Sequence, residues 1–242
     1  MERLQTVWQP VLSLKGESAM QSAIVVDLGR QDLEECWTLQ HMMHWARRNE
    51  VLPDCLFLVE HSHVVTIGKM GKKENILVKE TFLRERGIPF LIIEREEEII
   101  YHGPGQLVGY PIFALERGRI GNIDFVGGLE EVMIRILKDY GIMGKRNEKN
   151  RGVWFGKDKV GFVEIAVRSG VNLHSFTLNV NPDLSFFELV QPYSLNRVRV
   201  TSMNAILGNG ITLEEVKERA IVHFQEVFNI SIQRMILLAL SL

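Results

Sequence analysis

The chain has 242 residues, 24% charged and 46% hydrophobic, an ordinary balance for one soluble domain with a sizeable core. A formal net charge of -2 gives no electrostatic footprint for nucleic acid. No apolar run approaches the roughly 18 residues of a membrane span, and the first twenty residues lack the basic start and clean apolar stretch of a signal peptide.

Residues 1–22 precede the first strand pattern and read as an N-terminal extension, residues 23–230 as one domain, and 231–242 as a short C-terminal tail. Ala23–Leu28 reads as a strand. Asp32 is placed as an N-cap with Glu35 at the third helical position, opening a helix to about Arg48. Cys36, Leu39, Met43 and Ala46 fall at spacings of 3, 4 and 3, the buried stripe of that helix. Pro53-Asp54 breaks it before a strand Cys55–Glu60, and the turn at His61-Ser62-His63 leads to a strand over Val64–Gly68. A short helix follows at Val78–Glu85, stopped by Gly87 and Pro89, then a strand Phe90–Glu94. Ile123–Tyr140 carries a helical apolar stripe ending at Gly141, and the polar segment Lys145–Arg151 reads as a mobile, solvated loop. Gly152–Phe155, Val160–Val167 and Val171–Val180 form a strand-rich region. Thr212-Leu-Glu-Glu215 is a capping box opening the last helix. Strands and helices interleave without regular βαβ alternation, so the expectation is one mixed α+β domain, a sheet flanked by helices. Two cysteines without metal spacing suit a reduced, cytoplasmic protein, and both read as small core residues.

The densest chemical signal is Arg95–Pro111, REEEIIYHGPGQLVGYP. Pro104 fixes its own φ, and Gly103 and Gly105 permit a tight turn or close approach of a ligand to the backbone. Such a turn is either an ordinary hairpin or a device that aims His102 and Gln106 into a site. Tyr101–Pro111 closely resembles the lipoyl(octanoyl) transferases, whose pattern runs R-G-G-x-(V/I)-T-Y-H-G-P-G-Q-L-V-G-Y-P. Three further stretches resemble the same family in order: Gly152-Val-Trp with Lys159–Val167, His174–Asn181, and Pro192–Leu195 with Val200–Met203. The Glu60-His61 string also fits, which gives His61 a possible role, whereas His63 reads as an ordinary satisfied turn residue.

The resemblance implies the fold of biotin and lipoate protein ligases. It also implies transfer of an octanoyl group from acyl carrier protein to a lysine of a lipoyl domain, without a cofactor. By position it assigns the catalytic lysine to Lys159 and the acyl-bearing cysteine to position 193, which here is Tyr193. It places the substrate along Arg95, Glu96, Glu97, Glu98, Ile99, Ile100, Tyr101 and His102, along Phe162, Val163 and Glu164, and along Ser175, Phe176 and Thr177, with His174 possible. Several of these depart from the family: Glu96, Glu97 and Ser175 replace glycines, Glu164 replaces the glycine of an Ile-Gly pair, Thr177 an alanine, and Tyr193-Ser194 a Cys-Gly pair. Carboxylates beside an alkyl chain cost several kcal/mol unless paired.

Two classes of function follow. One is an acyltransferase with a changed mechanism, in which a bound lysine attacks the thioester directly and Glu164 or Glu98 takes its proton. The other is a silent relative that docks a lipoyl domain or acyl carrier protein. An adenylate-forming ligase fits poorly, because three consecutive glutamates repel phosphates. A metal site from Glu96, Glu98, Glu164, His102 and His174 competes with solvated carboxylates, which strand turns usually carry.

Overall fold

The computed structural model describes residues 22–95, 99–115, 122–190, 198–208 and 210–235. Among them a nine-stranded mixed sheet forms the spine. Its path starts at an edge strand and continues through β1 (Ser22–Gln31), β2 (Asp54–His61), β6 (Gln106–Ile112), β10 (Val171–Asn179), β9 (Asp158–Arg168), β8 (Val153–Phe155) and β7 (Lys145–Arg146). That first edge strand is β12 (Ser231–Met235), parallel to β1, and β11 (Arg199–Val200) pairs with β9 off the path. A second sheet of three strands, β4 (Phe90–Ile92), β3 (Val64–Ile67) and β5 (Ile99–His102), lies apart.

The central strands are apolar on both faces, because each face has its own cover. In β2, Leu56 and Leu58 join one core cluster while Cys55, Phe57 and Val59 join the other. The first cluster, which includes Met203 of the short α4 (Met203–Leu207), lies under α3 (Asn122–Asp139) and α5 (Leu213–Phe228), where Phe113, Phe125, Phe224 and Phe228 pack ring on ring. The second lies under α1 (Leu33–Arg48), whose Cys36, Met43 and Ala46 are buried against Ile24, Phe57 and Val108. Each buried Val, Ile, Met or Phe among them contributes roughly 1.5–3 kcal/mol. Close packing shows at Gly109, where any Cβ would overlap the Phe176 ring.

The small sheet meets the large one where His102 stands edge to face against His61 and where Arg95, bonded to the Thr66 carbonyl, reaches Glu164. Its outer side carries Val65, Ile67, Ile99 and Tyr101 into a third cluster with Leu83 of α2 (Glu80–Glu85) and the 3-10 turn Leu184–Leu189. Its inner side, Val64, Thr66, Ile100 and His102, therefore looks towards the large sheet.

Local expectations met the structure unevenly. The capping box is present in full: Thr212 Oγ1 accepts from the Glu215 N–H, and Glu215 accepts from the Thr212 N–H at 3.1 Å. Gly141, at φ +75, ends α3 as expected. Asp32 sits at the N-cap of α1, but its side chain makes no capping bond. The short helix begins at Glu80 rather than Val78. The segment read as a solvated loop contains β7 and holds Asn150 against the site. Ser231–Met235, expected as tail, is the sheet edge β12. Residues 1–21 and 236–242 lie outside the described residues.

Candidate active site

The turn between β5 and β6 is fixed by side-chain bonds. Gln106 Oε1 accepts from the Gly103 N–H at 2.8 Å, and Gln106 Nε2 donates to Asn179 Oδ1 at 2.9 Å. Asn179 Nδ2 in turn donates to the Thr201 carbonyl. Gly105, at φ +87, offers its N–H to Glu60 Oε1 at 2.7 Å and stands so close to Asn181-Pro182 that no side chain fits. The turn thus aims His102 between the two sheets.

Beside it, His61 is fully buried at the end of β2. Its Nδ1 lies 2.9 Å from the Gln31 carbonyl, which only accepts, so Nδ1 carries the proton and Nε2 accepts from the Tyr110 hydroxyl at 2.7 Å. Burial pushes the His61 pKa down to about 4. His102 meets His61 edge to face at 5.9 Å. Burial, with His61 and Arg95 nearby, holds it well below the usual histidine range. Both imidazoles are neutral near pH 7.

Arg95 is only 3% exposed. Its Nη1 lies 3.3 Å from Glu164 Oε2, and its Nη2 donates to the Thr66 carbonyl at 3.3 Å. Arg95 Nε and His102 Nδ1 are buried without a partner. A buried polar atom left unpaired is costly, so each of the two is open to a hydrogen bond from a ligand. Across the ladder of β9 and β10, Glu164 stands opposite Ser175 and Phe162 opposite Thr177. Alternation puts these four on the face that looks at the small sheet.

Lys159 opens β9 at 5% exposure. Its ammonium donates to Asn150 Oδ1 at 2.7 Å and lies 4.8 Å from the Phe162 ring centre and 5.5 Å from that of Trp154. Burial lowers its pKa to about 8, against the opposing pull of Glu164 and Glu130. A lysine so poised exchanges protons near neutral pH. Thr201 N–H bonds the Lys159 carbonyl at 2.9 Å, so the chain returns to Lys159 directly after residues 191–197.

His174 sits in the left-handed region, φ +74, in the middle of β10. Its N–H donates to Gln40 of α1, and its ring stacks on Trp37 at 5.5 Å. Burial, with Arg95 and Arg168 near, lowers its pKa to about 4. The neighbouring Asn172 substitutes for ladder bonds here, its Oδ1 accepting from the Phe113 N–H and its Nδ2 donating to the Pro111 carbonyl. Strain of this kind needs an over-determined surrounding.

The structure brings together Arg95, Ile100, His102, Phe162, Glu164, Ser175, Thr177 and Lys159, with His61 and His174 at the margins. It separates the others. Val163 and Phe176 turn their side chains into the core beneath α3 and α5. Ile99 and Tyr101 face the outer cluster, where the Tyr101 hydroxyl meets His63 Nδ1 at 2.7 Å. His63 is therefore a satisfied turn residue. Glu96, Glu97, Glu98, Tyr193 and Ser194 lie outside the described residues. Among the described residues no three His, Cys, Asp or Glu side chains form a metal-ligand group. Asn150 joins the site although no motif pointed to it, and Thr66 and Tyr110 join it from within the matching strings without having been singled out. A buried lysine's need for an acceptor was the available signal for Asn150.

The model of the lipoyl protein ligase A/B catalytic domain matches residues 32–225. An octanoyltransferase of Syntrophobacter fumaroxidans is 37% identical over 209 residues, covering 86% of this chain and 92% of that protein. One of Alkaliphilus metalliredigens is 38% identical over 209 residues, 86% of this chain and 96% of the relative. Among solved structures, the putative lipoate protein ligase Ta0514 of T. acidophilum with bound lipoic acid superposes with a TM-score of 0.70 at 17% identity, covering 89% of this chain and 90% of that one. The strand path, the two-sheet site and this likeness over nearly the whole length place the chain in the octanoyltransferase family of the lipoyl protein ligase A/B catalytic domain.

Proposed function

We propose that the protein transfers an octanoyl group from the thioester of an acyl carrier protein to the lysine of a lipoyl domain. The observation that carries this reading is Lys159: a buried amine, pKa about 8, with its nitrogen 4.8 Å from the Phe162 ring centre and within the field of Glu164. In this reading Lys159 moves the proton, Arg95 and His102 offer hydrogen bonds to the thioester oxygen, and Phe162 and Ile100 border the acyl chain. Glu96, Glu97, Glu98 and Tyr193 complete the substrate path by their place in the sequence. Relatives of 37–38% identity named octanoyltransferase support the reaction class. Two free, buried cysteines fit a reducing compartment, and the cytoplasm is the site we assign. No helix of the described residues is long and apolar enough to cross a membrane.

A second reading rests on Tyr193 at the nucleophile position: a silent relative that binds a lipoyl domain or an acyl carrier protein without turnover. Incubating the protein with octanoyl-carrier protein and an unmodified lipoyl domain, then weighing all three intact, separates the two. The transferase reading expects an octanoyl mass on the lipoyl domain. A stable complex with no mass change, beside a working relative, leaves the silent reading standing.

A further inference from the structure

We infer that this site transfers the acyl group in a single step, with Glu164 taking the proton from the attacking lysine and no acylated form of the protein intervening. The inference rests on the transferase reading above and concerns how that reaction runs. It starts from the chain's own nucleophiles. A two-step route needs a group whose acyl derivative stays reactive. The chain has two cysteines, Cys36 and Cys55. Both lie in the core layer under α1, packed among Ile24, Met43 and Phe57. Burial pushes the Cys36 thiol up to about 12 and raises Cys55 further. Neither forms the thiolate that attacks. Lys159 is nucleophilic, but its acyl derivative is an amide, no more reactive than the product. The remaining candidates are hydroxyls, those of Ser175 and Thr177 inside the site and those of Tyr193 and Ser194, and a hydroxyl attacks only when a base takes its proton; a tyrosine hydroxyl titrates ordinarily near about 10.

What the site does hold is a carboxylate where the amine must arrive. Glu164 projects between the sheets opposite Ser175, with its Oε2 3.3 Å from Arg95 Nη1 and its charge felt at Lys159. Arg95 thereby fixes the carboxylate and still has one buried N–H unused. That N–H suits the thioester carbonyl oxygen, which gains charge as the amine adds. In the step the lysine nitrogen bonds the carbonyl carbon and the carbon–sulfur bond breaks. The nitrogen gives one proton to Glu164, and the Lys159 ammonium gives one to the departing thiolate. Glu164 then returns a proton to Lys159, so one hydrogen has moved from nitrogen to sulfur and both groups are reset.

Initial rates of the full-length protein, with octanoyl-carrier protein and lipoyl domain both varied, test this. A single step gives intersecting double-reciprocal lines. Without lipoyl domain, the acyl group does not scramble onto isotope-labelled free carrier protein. Parallel lines with scrambling, or an octanoyl group mapped to any side chain of the protein, Ser175, Thr177, Tyr193 and Ser194 included, overturn the inference while leaving the transferase reading intact. For Glu164→Gln, which keeps an oxygen for Arg95, kcat falls roughly 100-fold with KM little changed, and Glu164→Asp recovers part of it. Unchanged kcat in a folded Glu164→Gln protein removes Glu164 from the role. If the wild-type protein never acylates the lipoyl domain, the transferase reading falls and this inference with it.

Discussion

Gly152 and Lys159 are mutually shaped: a Cβ on Gly152 would stand 2.7 Å from Lys159 Cε and overlap the Gly161 carbonyl oxygen. Gly152 also sits at φ +120, and its N–H is held by Glu130 Oε1 at 2.7 Å. Gly152→Ala must therefore push the lysine stem off its path and strain the backbone at once. The expected cost is about 2–3 kcal/mol, with at least a tenfold loss of transfer. Gly156→Ala is the control, since Gly156 is also left-handed, φ +60, but a Cβ there meets nothing within 4 Å. It should lose stability and keep its rate. Equal rates for Gly152→Ala and wild type would show that Lys159 needs no fixed position.

Lys159 also sets an alkaline signature. Its pKa is about 8 in the folded state, against 10.5 ordinarily. Between those values the unfolded chain holds a proton that the folded chain has released, so stability rises with pH across that window. The full gain is about 3 kcal/mol. Tyrosines titrate in the same range, so the quantity to measure is wild type minus Lys159→Met in urea unfolding. That difference should climb from pH 8 to 10.5. A flat difference would mean the amine is solvated and unperturbed.

The elements readable from the sequence were those whose bonds are local. The capping box at Thr212 and Glu215 needs only three residues of separation, and the apolar stripe from Cys36 to Ala46 needs only helical spacing. The site was legible as a set of stretches but not as a set of faces. Motif stretches treat neighbours alike, whereas a strand sends Glu164 to the site and Val163 to the core. Ile99 and Tyr101 were misplaced for the same reason. β12 is not legible locally, because its partner β1 lies some two hundred positions away and no local signal announces a parallel edge pair. Asn150 sat in a polar run that reads as solvent-facing; only the buried amine of Lys159 explains why it turns inward.

Acid should destabilise the protein through its buried imidazoles. His61 and His174 titrate near about 4 in the folded state and near 6.5 ordinarily. Between pH 6.5 and 4 the unfolded chain binds protons that the folded chain refuses, so stability falls as pH falls through that window. Each histidine contributes up to about 3 kcal/mol of this loss. His174→Gln removes one contribution, and its stability should fall less steeply than that of wild type below pH 6.5. Identical slopes would place His174 in contact with water.

The Arg95–Glu164 pair offers a test of whether the site is as dry as its geometry indicates. Arg95 is 3% exposed and the Glu164 side chain 14%. Removing one partner of a buried pair typically costs about 3–5 kcal/mol. Arg95→Met and Glu164→Met should each approach that cost, while the double variant, which strands neither charge, should cost clearly less than their sum. An exposed pair behaves differently, with a coupling of about 0–1 kcal/mol. Urea unfolding of the four proteins gives the coupling directly. A value above about 1.5 kcal/mol establishes a desolvated pair held across the two sheets. Simple additivity would mean water reaches Glu164 freely, and then neither its fixed position nor its contact with Arg95 could matter to the chemistry.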